Sequence, residues 1–147
     1  MIAVVQRVSS ATVVAEEADH EASIGLGLVV LLCVETGDTT EDARWMSGKL
    51  ARLRVFEDED GKFNRSIQDV NGSVMLVSQF TLAGDCRKGN RPSFITAADP
   101  EVGRQLCDLV QHELEHAHRL PALTGVFQAS MQVTLVNEGP ATFIVQR

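Results

Sequence analysis

The chain has 147 residues, 44% of them hydrophobic, and its formal net charge at pH 7 is −7. We expect residues 1–147 to form a single domain, because this length is enough to bury a sizeable core. The negative charge argues against a protein that coats nucleic acid non-specifically, so any nucleic-acid contact must be local. No secretory h-region or apolar run of membrane length is present, and we expect a cytoplasmic protein without a membrane partner.

The hydrophobic pattern predicts strands in clusters, with two main helices between them. The first half of the chain is predicted to contain a strand from Met1, a second strand after Ser9 and Ser10, a polar turn over Glu16 to Glu21 and a core strand over Ile24 to Val34. An acidic hairpin-like turn at Asp58–Gly61, a hydrophobic strand over Gly72–Leu82 and a polar loop over Ala83–Phe94 follow. The chain ends in a predicted hairpin, whose strands Met131 to Val136 and Thr142 to Val145 flank the residues Asn137, Glu138, Gly139 and Pro140. This order predicts an α+β (mixed α/β) fold with a largely antiparallel sheet covered by the helices.

Capping residues predict where the two helices begin. The first helix starts at Asp38 or Thr39 and continues to about Leu53. The second starts with Asp99 as its N-cap and Pro100 at its first position. The predicted buried stripe of this second helix consists of Val102, Leu106, Leu109, Val110 and Ala117.

The segment "HELEH", from His112 to His116, matches the HExxH pattern of zinc proteases. The two histidines share a helix face, but they lie about 100° from the apolar stripe. His118 is only two residues further on, which is the wrong spacing for a third ligand. We therefore interpret this segment as a solvated helix end and expect no metal site, with a zinc hydrolase left as an alternative.

The segment "SQFTL", Ser78 to Leu82, ends a buried strand with polar residues. Such side chains are poor core material and suit a binding or catalytic site. Thr81 has no histidine or terminal amine near it in the sequence to act as a base, so a nucleophilic role is disfavoured. Ordinary hydrogen-bonded hydroxyls at a strand end remain the alternative.

The following segment, "RKGNRPSF", places three cations in an otherwise acidic chain. Arg87, Lys88 and Arg91 flank a glycine and make a patch of the size of a phosphate group. A solvated basic loop is the alternative interpretation.

Three cysteines are present without a CxxC spacing. The odd number argues against a disulfide framework and fits a reducing compartment. Cys33 and Cys107 lie in apolar patterns and are predicted to be inert. Cys86 lies among charged residues and is the one candidate reactive thiol, although no base is near it in the sequence.

Taken together, "VVQRV", "SQFTL", "RKGNRPSF", "FQASMQV" and "NEGPAT" resemble, in this order, the motifs of the D-aminoacyl-tRNA deacylase family. The resemblance extends from Val4 to Thr142. It implies the fold of that family, with a barrel-like sheet. It also implies hydrolysis of the ester bond that joins a D-amino acid, or mischarged glycine, to the terminal adenosine of tRNA. The partners it implies are aminoacylated tRNA, through its acceptor end, and a second copy of the chain in a homodimer; no DNA partner and no cofactor are implied.

The resemblance also suggests a role for each candidate site residue. Gly139 and Pro140, joined by a cis peptide bond, would enter the active site of the partner subunit and exclude L-amino acids. Arg7 would brace this pair, and Asn137 would help to set the turn. The remaining roles are catalysis by Gln79, Phe80 and Thr81, with main-chain amides binding the ester oxygen; binding of the terminal nucleotide by Ser78 and Phe127; and tRNA phosphate contacts by Arg87, Lys88 and Arg91.

The chain departs from the family pattern at four places. Ala141 follows the Gly-Pro pair where valine is usual, and Gln128 follows Phe127 where glycine is common. Ala83-Gly84 and Cys86 also depart from it. Ala141 lies beside the Gly-Pro pair and bears on the strictness of L-amino acid rejection. A non-catalytic module that binds the tRNA acceptor end is the alternative function, because related folds also serve as fused editing domains.

Overall fold

Six strands form one mixed sheet, and two short strands form a separate hairpin. The computed structural model describes all residues, 1–147. The strands are β1 Ile2–Ala15, β2 His20–Ile24, β3 Gly27–Cys33, β4 Phe56–Glu57, β5 Phe63–Arg65, β6 Ser73–Ser78, β7 Ala122–Thr124 and β8 Gln132–Gln146. The helices are α1 Thr40–Arg52 and α2 Pro100–His116, with short 3₁₀ helices at Glu16–Ala18 and Phe80–Ala83.

The long strand β1 organises the sheet. Along one edge it pairs antiparallel first with β3 and then with β2, and along the other edge it pairs antiparallel with β8. The strands β3, β6 and β7 are joined by parallel pairing. The predicted break after Ser9 and Ser10 is wrong, since β1 is continuous there. The two serines instead mark the place where β1 exchanges its partner β3 for β2 and where its register with β8 shifts.

The predicted final hairpin is also wrong, because β8 is one strand. Its two apolar runs both pair with β1, one on each side of the Gly-Pro pair. Opposite β1, the pairing goes from Val8–Asn137 to Gln6–Thr142, so five steps of β8 face two steps of β1. The extra residues form a bulge that leaves the ladder, which is why proline is tolerated within this strand.

Two short strands were missed and two predicted strands were too long. The strand β2 begins at His20, inside the predicted polar turn, and β7 has only three residues. The core strand begins at Gly27 rather than Ile24, and β6 ends at Ser78 before a 3₁₀ helix. Gly27 allows the close approach of β3 to β6, because a Cβ there would lie 1.9 Å from the carbonyl oxygen of Ser73.

Both predicted helix starts are confirmed. Thr39 and Asp42 form a capping box at α1, and the Asp99 side chain accepts a hydrogen bond from the amide of Glu101 at α2. The stripe predicted for α2 is correct at Leu106 and Val110 but wrong at its ends, because Val102 and Ala117 are exposed. The buried residues of α2 are Gly103, Leu106, Cys107, Val110 and Leu114.

The fold class is confirmed: the helices cover one face of a barrel-like sheet in an α+β arrangement. A core of 23 buried residues lies between the helices and the sheet. A second core of seven buried residues, which includes Val13, Met75 and Val77, lies where the far half of β1 and β2 folds over the other face. None of the helices has both the length and the apolar character needed to span a membrane.

Candidate active site

A cavity of about 610 Å³ opens where β6 ends. Its lining includes Ser78, Gln79 and Phe80 from the end of β6 and Phe127 from the segment before β8. Eleven of its sixteen lining residues are hydrophobic. An apolar cleft with a few polar groups at its mouth suits a flat, partly polar ligand such as a nucleobase.

The polar mouth is held by the sheet. Ser78 pairs with Leu32 of β3, and the amide of Gln79 donates a hydrogen bond of 2.8 Å to the carbonyl oxygen of Leu32. The chain then turns into the 3₁₀ helix at Phe80–Ala83. The first amides of a helix have no partner within it, so those of Phe80 and Thr81 are available to a ligand oxygen.

The hydroxyl group of Thr81 is hydrogen-bonded to Gln79 and not to a base. Its hydroxyl oxygen accepts a hydrogen bond from the side-chain amide of Gln79, and no other side chain bonds to it. An amide cannot take the proton of a hydroxyl group at neutral pH. The arrangement therefore orients the Gln79 side chain without activating Thr81 as a nucleophile.

The three cations of the basic loop after β6 differ in whether they have a carboxylate partner. Arg87 is held by Asp85 through two hydrogen bonds of 2.9 and 2.8 Å, and its guanidinium lowers the pKa of the Asp85 carboxyl to about 2. Lys88 and Arg91 are exposed and have no carboxylate partner. Of the three predicted phosphate contacts, these two have uncompensated charge.

Two phenylalanines join this loop to the cavity mouth. Phe80 packs edge-on against Phe94, with ring centroids 5.3 Å apart. Even so, 60% of Phe80 remains exposed. The pair fixes the loop near the end of β6 and leaves an apolar surface uncovered there.

A second group of predicted site residues surrounds the bulge of β8. Arg7 is buried, and its Nε donates a hydrogen bond of 2.8 Å to the carbonyl oxygen of Glu138. Asn137 accepts a hydrogen bond from the side-chain amide of Gln6. The Gly139–Pro140 peptide bond is cis. Every residue from 134 to 140 is exposed.

The two groups of residues lie apart within one chain. Neither Arg7 nor any residue of the bulge lines the cavity. Through β3, Ser78 lies at the level of Ala3 on β1, whereas Asn137 lies at the level of Val8. Five residues of extended strand correspond to about 17 Å. The structure thus brings together Ser78, Gln79, Phe80 and Phe127, and places the bulge elsewhere.

Sequence reasoning missed the part of α2 that lines the cavity. Gly103 and Cys107 face it, and a Cβ on Gly103 would lie 3.4 Å from the Phe127 ring. A glycine inside a predicted helix was the available signal, because glycine is costly there without a packing reason.

The histidines of "HELEH" face solvent. His112 and His116 are exposed and stacked 4.1 Å apart, and Glu113 pairs with Arg44 of α1. Among residues 1–147, no three His, Cys, Asp or Glu side chains are grouped to hold a metal ion.

The cysteines differ in environment as the sequence indicated. Cys33 and Cys107 are buried, and Cys86 is exposed. Burial raises the pKa of the Cys107 thiol to about 12 and also raises the pKa of Cys33. Both buried thiols are therefore protonated and unreactive at neutral pH.

Comparison with known proteins identifies the family. The model of the D-Tyr-tRNA(Tyr) deacylase family matches residues 4–146. A protein of Geobacter sulfurreducens named D-aminoacyl-tRNA deacylase is 53% identical, covering 99% of this chain and 94% of that protein. A protein of the same name from Pelobacter propionicus is 51% identical, with both chains fully covered.

Two solved structures share the fold. One, described as a c-Myc DNA unwinding element binding protein, superimposes with a TM-score of 0.92 at 37% identity, over 100% of this chain and 99% of that chain. A probable eukaryotic D-amino acid tRNA deacylase has a TM-score of 0.86 at 18% identity, over 98% and 97% of the two chains, and shows the fold alone. The chain therefore belongs to the D-Tyr-tRNA(Tyr) deacylase family, whose members are hydrolases.

Proposed function

We propose that this protein hydrolyses the ester bond of D-aminoacyl-tRNA and of mischarged glycyl-tRNA, releasing the free amino acid and tRNA. The observation that carries the proposal is the cavity at the end of β6, where polar residues and helix-start amides meet an apolar cleft. This site belongs to a chain whose relatives, about half identical to it, are named D-aminoacyl-tRNA deacylase.

The cavity would hold the terminal adenosine of the tRNA. Its volume of about 610 Å³ and its apolar lining suit a nucleobase packed near Phe127. Ser78 and Gln79, at its mouth, would bond to the ribose and the ester. The scissile bond would then lie beside the amides of Phe80 and Thr81.

The chemistry needs positioning and charge stabilisation more than a protein nucleophile. Water adds to the ester carbonyl carbon, the amides of Phe80 and Thr81 donate to the resulting oxyanion, and the bond to the ribose oxygen breaks as that oxygen gains a proton. The neighbouring ribose 2′-hydroxyl would assist the proton transfer. Thr81 would act as a supporting residue through its hydrogen bond with Gln79.

A second copy of the chain would complete the site. The outer edge of β8 has no strand partner, and Leu135, Val136 and Ile144 are exposed on this strand. Unpaired edges and exposed apolar side chains favour association of two copies. In such a homodimer, Gly139 and Pro140 would enter the partner's cavity mouth and occupy the space that an L side chain needs. D-residues and glycine present only hydrogen on that side.

The test compares deacylation of matched D- and L-aminoacyl-tRNA in single-turnover assays. We expect cleavage of the D-form and of glycyl-tRNA, and protection of the L-form. Replacing both Gly139 and Pro140 with alanine should reduce the preference for the D-form. The mechanism is tested separately: Thr81→Ala should keep substantial activity, whereas tRNA ending in 2′-deoxyadenosine should be cleaved poorly.

Two outcomes would overturn the proposal. Tight binding of the tRNA end without hydrolysis would favour a binding module. Abolished cleavage in Thr81→Ala, together with normal cleavage of the 2′-deoxy substrate, would refute the mechanism.

A further inference from the structure

A second cavity, of about 430 Å³, lies at the C-terminal end of α1. We call it the α1 groove, and its six lining residues are Trp45, Gly48, Lys49, Arg52, Leu53 and Arg54. It shares no residue with the cavity at the end of β6. Three of its six lining residues are cationic and none is acidic.

The cations of the α1 groove have no carboxylate partners. The chain has 13 lysines and arginines. Those within 4.0 Å of a carboxylate are Arg7, Arg44, Lys62, Arg65, Arg87, Arg104 and Arg147. The six others are Lys49, Arg52, Arg54, Lys88, Arg91 and Arg119. Half of the unpaired cations of a chain with net charge −7 therefore line one groove, which makes it a local site for an anion.

Stabilisation of the helix end explains only part of this arrangement. Lys49 and Arg52 lie in the last turns of α1, where cations favour the helix dipole. Arg54 lies two residues beyond the end of the helix, and its side chain donates a hydrogen bond of 3.4 Å to the neutral side-chain oxygen of Asn64. The acidic first turn of α1 does not compensate the groove either, because Glu41 and Asp42 pair with Arg147 at 3.1 and 3.0 Å.

The groove lies next to the bulge of β8. Arg54 precedes Val55, whose carbonyl oxygen accepts a hydrogen bond of 2.7 Å from Arg7. The same guanidinium donates to Glu138, which precedes Gly139. The side chain of Arg7 therefore connects the residue that follows the groove with the bulge.

From this placement we propose that the α1 groove binds backbone phosphates of the acceptor arm of the tRNA whose 3′ end lies in the partner subunit's site. The proposal rests on the proposed function, which puts Gly139 and Pro140 of one subunit beside the tRNA end held by the other. The tRNA would leave that site past the groove. Lys49, Arg52 and Arg54 would then neutralise successive phosphates without reading the base sequence.

The fluorescence of Trp45 can report binding in the groove. Trp45 is the single tryptophan of a chain that has no tyrosine. The protein can therefore be titrated with deacylated tRNA, and with a DNA duplex that carries the same number of phosphates, while Trp45 fluorescence is excited at the red edge of its absorption and recorded. We expect tRNA to change the fluorescence and to bind more tightly than the duplex, because only the tRNA can place a 3′ end in the partner's cavity while its phosphates contact the groove.

The decisive variant is the triple substitution Lys49→Gln, Arg52→Gln and Arg54→Gln. Its affinity for uncharged tRNA at 0.15 M salt should fall about 10- to 50-fold, and the slope of log affinity against log salt should lose about 2 units, as expected for two to three phosphate contacts. The control Arg44→Gln removes a cation of α1 outside the groove and should change the affinity less than about twofold.

A kinetic comparison separates the groove from the cavity. The ratio of kcat/KM on full-length D-aminoacyl-tRNA to kcat/KM on 3′-D-aminoacyl-adenosine should fall about tenfold in the triple variant. An unchanged ratio, an unchanged salt slope, equal binding of the DNA duplex or an equal loss in Arg44→Gln would each overturn the proposal. Failure of the wild type to cleave either substrate would instead refute the proposed function, and the binding titration would still test the groove.

Discussion

Replacement of Arg7 by lysine tests how the fold holds the bulge of β8. The Arg7 guanidinium is buried and donates to the carbonyl oxygens of Glu138 and Val55, at 2.8 and 2.7 Å, and to the carboxylate of Glu57, at 3.3 Å. These three acceptors come from β8, from the connection between α1 and β4, and from β4. A lysine keeps the charge, but its single ammonium group cannot match the fork geometry of the guanidinium.

The expected cost follows from the number of hydrogen bonds lost. An ammonium can serve two of these acceptors, so one hydrogen bond from a charged donor, worth about 1.5–3 kcal/mol, is lost and the geometry of the other two becomes poorer. We therefore expect Arg7→Lys to lower the free energy of unfolding by about 2–4 kcal/mol. A domain of this size is typically stable by about 5–15 kcal/mol, so the variant should remain folded at 25 °C.

Urea unfolding at 25 °C measures this change, and the matched control is Arg44→Lys. Arg44 also pairs with a glutamate at 3.3 Å, but its side chain is 63% exposed, so its replacement should change stability by less than about 0.5 kcal/mol. Equal stability changes in the two variants would refute the reasoning. The ratio of D- to L-deacylation should fall in Arg7→Lys, because Glu138 adjoins Gly139.

Two further predictions concern close contacts outside the site. Gly27→Ala should prevent folding or destabilise the protein by more than about 4 kcal/mol, since its Cβ would lie 1.9 Å from the carbonyl oxygen of Ser73. The control Gly25→Ala meets nothing within 4 Å and should fold normally, and similar unfolding curves for both would contradict this explanation. Burial of the Met1 amine lowers its pKa, but the carboxylates of Asp38 and Glu35 outweigh this effect and raise the pKa above 8.0. These ion pairs therefore stabilise the folded state below pH 8, and the stabilisation is lost as the pH rises through the raised pKa. Urea unfolding from pH 7 to pH 11 should show this loss of stability. The variant Asp38→Asn should be less stable than the wild type by about 1–2 kcal/mol at pH 7 and should lose less stability at alkaline pH. Parallel pH profiles of the two proteins would contradict this prediction.

The helices and the main strands were predictable because local signals determine them. Thr39 begins α1 in a capping box with Asp42, the side chain of Asp99 caps α2, and the valine-rich runs favour strands. The errors occur where partners distant in sequence decide the structure. Whether Ser9 and Ser10 interrupt β1 depends on β8, which lies more than 120 residues away.

The site was predictable in its residue types but not in its arrangement. The polar run at the end of β6 indicated a site mouth, and three of its residues do line the cavity. The pairing of Arg87 with Asp85, two residues earlier, was overlooked, although the spacing was visible in the sequence. The unpaired charge of the α1 groove could not be read from the sequence, since it depends on which acidic residues other elements bring near.

The register of β8 explains how one strand can hold an exposed bulge rigidly. On both sides of the bulge its residues are paired with β1, and Ala141 and Val145 are buried while Ile144 between them is exposed. A shift of one residue would turn Ala141 and Val145 outward on one flank and the partly buried Val133, which packs against the second core, on the other, so each flank is fixed in its register. The length of the bulge is therefore fixed as well, and Arg7 adds a third anchor from inside the fold. A segment whose ends and middle are each held in this way can be exposed and still keep one position, which is what steric exclusion by a loop requires.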